Sequence, residues 1–244
     1  MPKNSKTSLI QTIASHAYQT FHNGASSGFG ENNAFLEHQA VLVTLLSKLT
    51  AADLNIASPK KVSRKSAEAP VTYMHICETD AFSMGVFLLK PGASIPLHDH
   101  PGMNGMLKVL YGKVNIRCYD KLEIAVGADA KDESRFEPPQ GDAVSRALLR
   151  TSGQFTVQSA PCVLSPAKDN LHEIDAVDGP AAFLDILAPP YDPNDGRDCH
   201  YYKVIQTAGR KEQGGEDEVW LLEIPQPDDF WCGGEPYPGP NVSV

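Results

Sequence analysis

His98 and His100 stand one residue apart in Gly92-Ala-Ser-Ile-Pro-Leu-His-Asp-His-Pro, and an isolated His172 follows far downstream. These are the residues whose types and spacing point most directly to chemistry. On a β-strand, side chains two apart share a face, so the pair can offer two imidazoles to one ion from a single strand. His172 would close the site from another strand. The competing reading is a pair of surface histidines beside the Pro101-Gly102 turn.

The flanking residues favour the metal. Gly92, five residues, His98, one residue, His100, a four-residue gap to position 105 and six more to Gly112 resemble the first metal motif of cupins, the small double-stranded β-helix barrels. Most cupins carry a ligating glutamate at the position held here by Gly105, next to Asn104. Without that carboxylate, three neutral imidazoles leave a divalent ion its full charge, which favours an anionic incoming ligand. A thiolate fits, because a metal beside a thiol removes its proton.

The chain must build elements that bring these histidines together. Its 244 residues, 41% hydrophobic, suffice for one core, and an all-β barrel of this size is commonly a single domain. A net charge of -9 and the lack of a basic stripe argue against a nucleic-acid partner and suit a cationic substrate. Five scattered cysteines without a CxxC pair read as free thiols of a reducing compartment, consistent with the cytoplasm. Lys3 and Lys6, ahead of the first acidic residue Glu31, give only a weak mitochondrial signal. No apolar run approaches the ~20 residues of a membrane helix. A monomer is expected.

Leu9, Ile10, Ile13, Ala14, Ala17, Tyr18 and Phe21 recur at helical spacing, as do Phe35, Leu36, Leu42, Leu45, Leu46 and Leu49 after a Gly/Ser break at 24–30. Residues 1–56 are therefore expected to form a helical segment packed outside the barrel, 57–70 a polar linker and 71–244 the barrel itself. Within the barrel, short β-rich runs are expected at 71–77, 84–89, 106–111, 113–119, 155–158, 162–164, 182–187, 201–205 and 219–224. The polar stretches 120–142 and 210–218 read as elaborated loops.

Ile95-Pro-Leu-His-Asp-His-Pro-Gly-Met, Leu107-Lys-Val-Leu-Tyr-Gly, Asp169-Asn-Leu-His, Leu184-Asp-Ile-Leu-Ala-Pro-Pro-Tyr-Asp and Gly196-Arg-Asp-Cys-His-Tyr-Tyr together resemble the thiol dioxygenase family of cysteamine dioxygenases and plant cysteine oxidases. The tail Asp229-Phe-Trp-Cys-Gly-Gly-Glu-Pro-Tyr-Pro-Gly-Pro is similar to the animal cysteamine dioxygenase branch. The resemblance implies one Fe(II) per chain at His98, His100 and His172, with O2 as co-substrate. It implies conversion of cysteamine to hypotaurine and of protein N-terminal cysteines to cysteine sulfinic acid. The sulfinic product is one that cells rarely reverse. It would mark proteins for an N-degron pathway, making the enzyme an oxygen sensor. Asn104 departs from animal relatives that often carry a non-ligating histidine there.

Other polar residues carry two readings each. Asp185 lies in the apolar run Phe183-Leu-Asp-Ile-Leu, where a carboxylate needs a salt-bridge partner or a cavity. The resemblance implies an active-site aspartate that fixes the substrate amine or bound oxygen. Tyr191 can donate its hydroxyl to the same pocket or merely pack. Cys199 and Tyr201, two apart, would share a strand face and could form a thioether beside an oxidising metal, or sit as a buried thiol beside a core tyrosine. His200 would point the other way.

Two further classes stay open: a zinc enzyme using the same three histidines and an activated water, and a non-catalytic cupin that binds a ligand or partner protein. An enzyme for free cysteine would hold the α-carboxylate with a cation, often Arg. Lys108 and Arg197 lie near the motifs, yet neither can be placed against a substrate. Cysteamine and N-terminal cysteine peptides both lack that carboxylate.

Overall fold

A computed structural model describes residues 7–25, 33–58, 68–122, 144–207 and 217–244. The expected loops at 24–30, 120–142 and 210–218, and most of the 57–70 linker, fall largely outside these described residues.

Two helices open the chain, α1 (Leu9–Ala25) and α2 (Asn33–Ser47). The hydroxyl of Ser8 accepts from the Gln11 amide at the start of α1. Among the described residues twelve strands follow in chain order: β1 (Val71–Glu78), β2 (Ser83–Leu89), β3 (Ser94–His98), β4 (Asn104–Tyr111), β5 (Lys113–Lys121), β6 (Val144–Thr156), β7 (Cys162–Leu164), β8 (Leu171–Ala176), β9 (Ala181–Ala188), β10 (Tyr201–Thr207), β11 (Asp217–Ile224) and β12 (Cys232–Gly234). One sheet runs β12-β1-β2-β9-β4-β7, and β10-β11-β6-β5-β8-β3 closes on itself. This is the double-stranded β-helix of a cupin, with the helices outside.

Alternation along the first sheet explains both of its cores. On β9, Ala182, Leu184 and Ile186 pack with Ile10, Ile13, Leu42 and Leu46 of the helices, together with Met84 and Met106. Ala181 and Phe183 turn the other way and pack with Val114, Ile116 and Ile174 of the closed sheet. A strand covered on both faces reads as an unbroken apolar run. Asp185 shares the parity of Phe183, so it faces the barrel interior.

The one-faced strands escaped the apolar-run criterion. The run expected at 155–158 is the end of a 13-residue strand, β6, whose exposed Arg150, Ser152 and Gln154 alternate with less exposed neighbours. β3, β8 and the glycine-rich β12 lie outside the expected β-rich runs, although strands were expected to carry His98 and His172. β3 keeps Pro96 within it, and its pairing with β10 is limited to Tyr201 opposite His98. Gly112 turns β4 into β5 at φ +75°, where a Cβ would collide with the Pro180 carbonyl.

The C-terminal tail is tied back to the helices and their following turn. The amide of Ser243 donates to the Gln11 side chain, and Asn55 donates to the Pro238 carbonyl.

Candidate metal centre

His98 ends β3 and lies directly opposite His172 on β8, so the two imidazoles leave the sheet as cross-strand neighbours. His100 lies on neither strand. The chain bends out of β3 after His98, which corrects the expectation that one strand presents both histidines. The bend itself aims the third ring, and each pair of rings has its centroids 4.8 Å apart.

A side chain that sequence reasoning missed fixes the bend. Asn170 accepts from the His100 amide at 3.1 Å and donates to the His100 carbonyl at 2.8 Å and the Ser165 carbonyl at 3.0 Å. Asp99, buried between the two ligands, accepts from the His200 amide at 2.9 Å and the Tyr202 hydroxyl at 2.8 Å. The Lys121 ammonium stands 3.8 Å from the same carboxylate. His200 turns its Nδ1 to Asp99 at 3.1 Å and takes no part in the cluster.

The ring nitrogens are assigned by their partners. His98 Nδ1 lies 2.8 Å from the Pro96 carbonyl, an acceptor only, so Nδ1 carries the proton and Nε2 its lone pair. The Tyr191 hydroxyl donates to the Asp99 carbonyl at 2.7 Å and accepts from His100 Nδ1 at 2.7 Å. His100 thereby also presents a bare Nε2. Tyr191 thus lines the cavity, as expected, while its hydroxyl braces a histidine.

The three rings are 2–8% exposed, and burial lowers the basicity of each. The charges of His172 and His98 lower His100 further, and that of His98 does the same to His172. All three are neutral imidazoles, the form that binds metal. His100 Nε2 and His172 Nε2 lie 3.3 Å apart. Two ligands about 2.1 Å from a shared ion and about 100° apart at it are separated by about that distance. Among the described residues, these three histidines are the one group of His, Cys, Asp or Glu placed to hold an ion. The donor set fits one divalent cation.

The histidines open onto a cavity of about 500 Å3 that Asp185, Tyr191, Cys199 and Tyr201 also line, with Phe87, Phe183, Leu187 and Trp231 among its apolar walls. Burial pushes the Asp185 carboxyl up to about 7, opposed by a hydrogen bond from the backbone of Ile186. No salt-bridge partner for Asp185 occurs among the described residues. Cys199 precedes β10 instead of sharing its face with Tyr201, yet it lines the same cavity as Tyr191 and Tyr201. Burial raises the Cys199 thiol, which stays protonated.

The cations near the motifs are engaged elsewhere. Lys108 donates to the Val157 and Ser159 carbonyls at 2.7 and 2.8 Å, and Arg197 holds its own turn through the Pro190 carbonyl and Asp195. Asn104 is buried on β4, and its Nδ2 has no hydrogen-bond partner among the described residues.

Asn170→Ala removes both clamps on the His100 backbone without touching a ligand atom. Metal affinity is expected to fall about 10- to 100-fold with the fold retained, measured by competition with a chelator. Unchanged affinity would mean that the bend holds itself.

The mouse (Mus musculus) 2-aminoethanethiol dioxygenase is 55% identical, with 99% of each chain covered. The human (Homo sapiens) 2-aminoethanethiol dioxygenase is 53% identical over the same share of both chains. Plant cysteine oxidase 1 of Arabidopsis thaliana is 36% identical, covering 71% of this chain and 59% of the plant protein. The model of the PCO_ADO family matches residues 45–242, and with these relatives it establishes that the chain belongs to that family.

Proposed function

We propose that the chain is an Fe(II) thiol dioxygenase that places both atoms of O2 on the sulfur of cysteamine, giving hypotaurine, and of N-terminal cysteines, giving cysteine sulfinic acid. The observation that carries this reading is the cavity in which three uncharged imidazoles face one carboxylate, with no Lys or Arg among its described lining residues. A free α-carboxylate finds no counter-charge there. A thiol with a neighbouring ammonium finds its partner in Asp185. The names of the relatives, 2-aminoethanethiol dioxygenase and plant cysteine oxidase, support the same substrate class.

Each part of the cavity has a task in this reading. Iron, which His98, His100 and His172 would hold, would favour the thiolate over the thiol and mediate transfer of the sulfur's electrons to O2. Asp185 orients the amine and thereby the sulfur attached two carbons away. Tyr191 keeps His100 in the tautomer that binds metal. Phe87, Ile95, Ile174, Phe183 and Leu187 keep water from the reacting groups.

A thioether between Cys199 and Tyr201, which line one cavity, would form with loss of one hydrogen from each, O2 at the iron serving as the oxidant. After turnover, the intact mass is expected to drop by two hydrogens. Cys199→Ser should lack the drop, and an unchanged wild-type mass would leave Cys199 a buried thiol.

The deciding experiment incubates iron-loaded protein in air with a Cys-initiated peptide, its N-acetylated form and cysteamine in separate tubes, followed by mass spectrometry. Two added oxygen atoms on the free-amine thiols alone support the proposal. Purification with zinc and no O2 uptake would favour a hydrolytic centre, and inertness of the iron form toward every thiol would favour a binding module.

A further inference from the structure

A second cleft of about 510 Å3 adjoins the metal cavity and shares Phe87, Asp185, Leu187, Tyr191 and Cys232 with it. Asp185 therefore stands at the junction of two arms. One arm ends at the histidines, and the other runs past Tyr73 and Gly85 to Ser83 and Glu78. Cysteamine needs only the first arm, and a cleft of this size suits a considerably larger ligand.

The second arm has the character of a surface for extended chain. Gly233 and Gly234 of β12 form part of its wall with no side chain in the way, and nothing stands within 4 Å of where a Cβ of Gly234 would be. Within the described residues β12 pairs with β1 alone and is the edge of its sheet, so one side of its backbone is open to a further strand. Gly85 lies opposite Asp185 on β2, and the Tyr73 ring fills the place of its missing side chain. That packing brings the Tyr73 hydroxyl near enough to Asp185 for the two to interact electrostatically. The charged residues lining this arm are Asp185 and Glu78, and Glu78 is exposed at the far end.

We propose that the second arm binds the polypeptide that follows an N-terminal cysteine and favours a cationic side chain in the next few residues, through Glu78. This rests on the reading of the centre as a dioxygenase of amine-bearing thiols. The leading amine sits at Asp185, the sulfur turns toward the histidines, and the chain leaves along β12.

The test compares kcat/KM of iron-loaded wild type, Gly234→Trp and Glu78→Gln for cysteamine and for Cys-initiated peptides with Lys, Ala or Glu after the cysteine. Gly234→Trp fills open space and is expected to lower peptide kcat/KM about tenfold or more while cysteamine is unaffected. Glu78→Gln is expected to reduce the preference for Lys over Glu by about threefold, as befits an exposed charge pair. A dye-labelled peptide with Ser in place of the leading Cys should bind wild type more tightly than Gly234→Trp by anisotropy, whether or not iron is present. Peptide turnover and binding indifferent to Gly234→Trp overturn the proposal, as does equal loss of cysteamine and peptide activity. Wild type that oxidises cysteamine alone also overturns it and leaves the dioxygenase reading intact. Wild type that oxidises no thiol removes that reading and this one with it.

Discussion

His98→Ala, His100→Ala and His172→Ala are each expected to purify without stoichiometric iron and to lose thiol oxidation entirely. Each ring supplies one of three nitrogens, and two of the rings are held with the lone pair inward. The Pro96 carbonyl does this for His98, and the Tyr191 hydroxyl does it for His100. An alanine leaves two ligands, too few to retain the ion against dilution or chelator. Metal analysis and O2 uptake read the two losses directly. A third measurement separates lost ligation from a damaged fold. Adding Fe(II) anaerobically should raise the Tm of the wild type, because an ion that binds only the folded state stabilises it by mass action. The alanine variants should fold at a Tm close to that of the metal-free wild type and gain little. A variant that keeps its iron and turns over normally would remove that histidine from the centre.

What the sequence revealed follows from what sets each position. β7 spans the run expected at 162–164, and β1, β2 and β9 extend by one or two residues beyond theirs; β9, buried on both faces, carries a continuous apolar signal. His98 and His172 could be read as partners from residue type alone. Asn170 and Asp99 could not. Asn170 acts on a backbone 70 residues away, and Asp99 on a hydroxyl 103 residues away. No local pattern records such pairings. The same limit explains His100, whose useful direction comes from a bend that Asn170 holds, where strand periodicity predicted a shared face. Asp185 stood out because a lone carboxylate breaks an apolar run, and the cavity it lines now accounts for it where an ion pair does not.

Asp185→Asn is expected to keep iron and lose about 100-fold or more in kcat with aminothiols, the scale of losing a positioned charge that orients the reacting group. The amide preserves size and hydrogen bonding but cannot pair with an ammonium. The loss should be much smaller for a thiol without an amine, which a purely structural role would not produce. The pH dependence gives a second signature. In the metal-free protein the carboxyl is raised to about 7 by burial, above its unfolded value near 4. The folded state therefore holds this proton more tightly than the unfolded state. Its contribution to stability is fully present below about pH 4 and is lost as pH rises through about 7. Metal-free wild type should lose some stability over that window, and Asp185→Asn should lack that share of the decline, so the two Tm profiles converge at acid pH and separate toward neutrality. With substrate and iron in place, two nearby positive charges favour the ionised carboxylate, and activity should fall on the acid side as Asp185 takes up its proton. Unchanged kinetics in Asp185→Asn, with an unchanged acid limb, would leave Asp185 a wall of the cavity and nothing more.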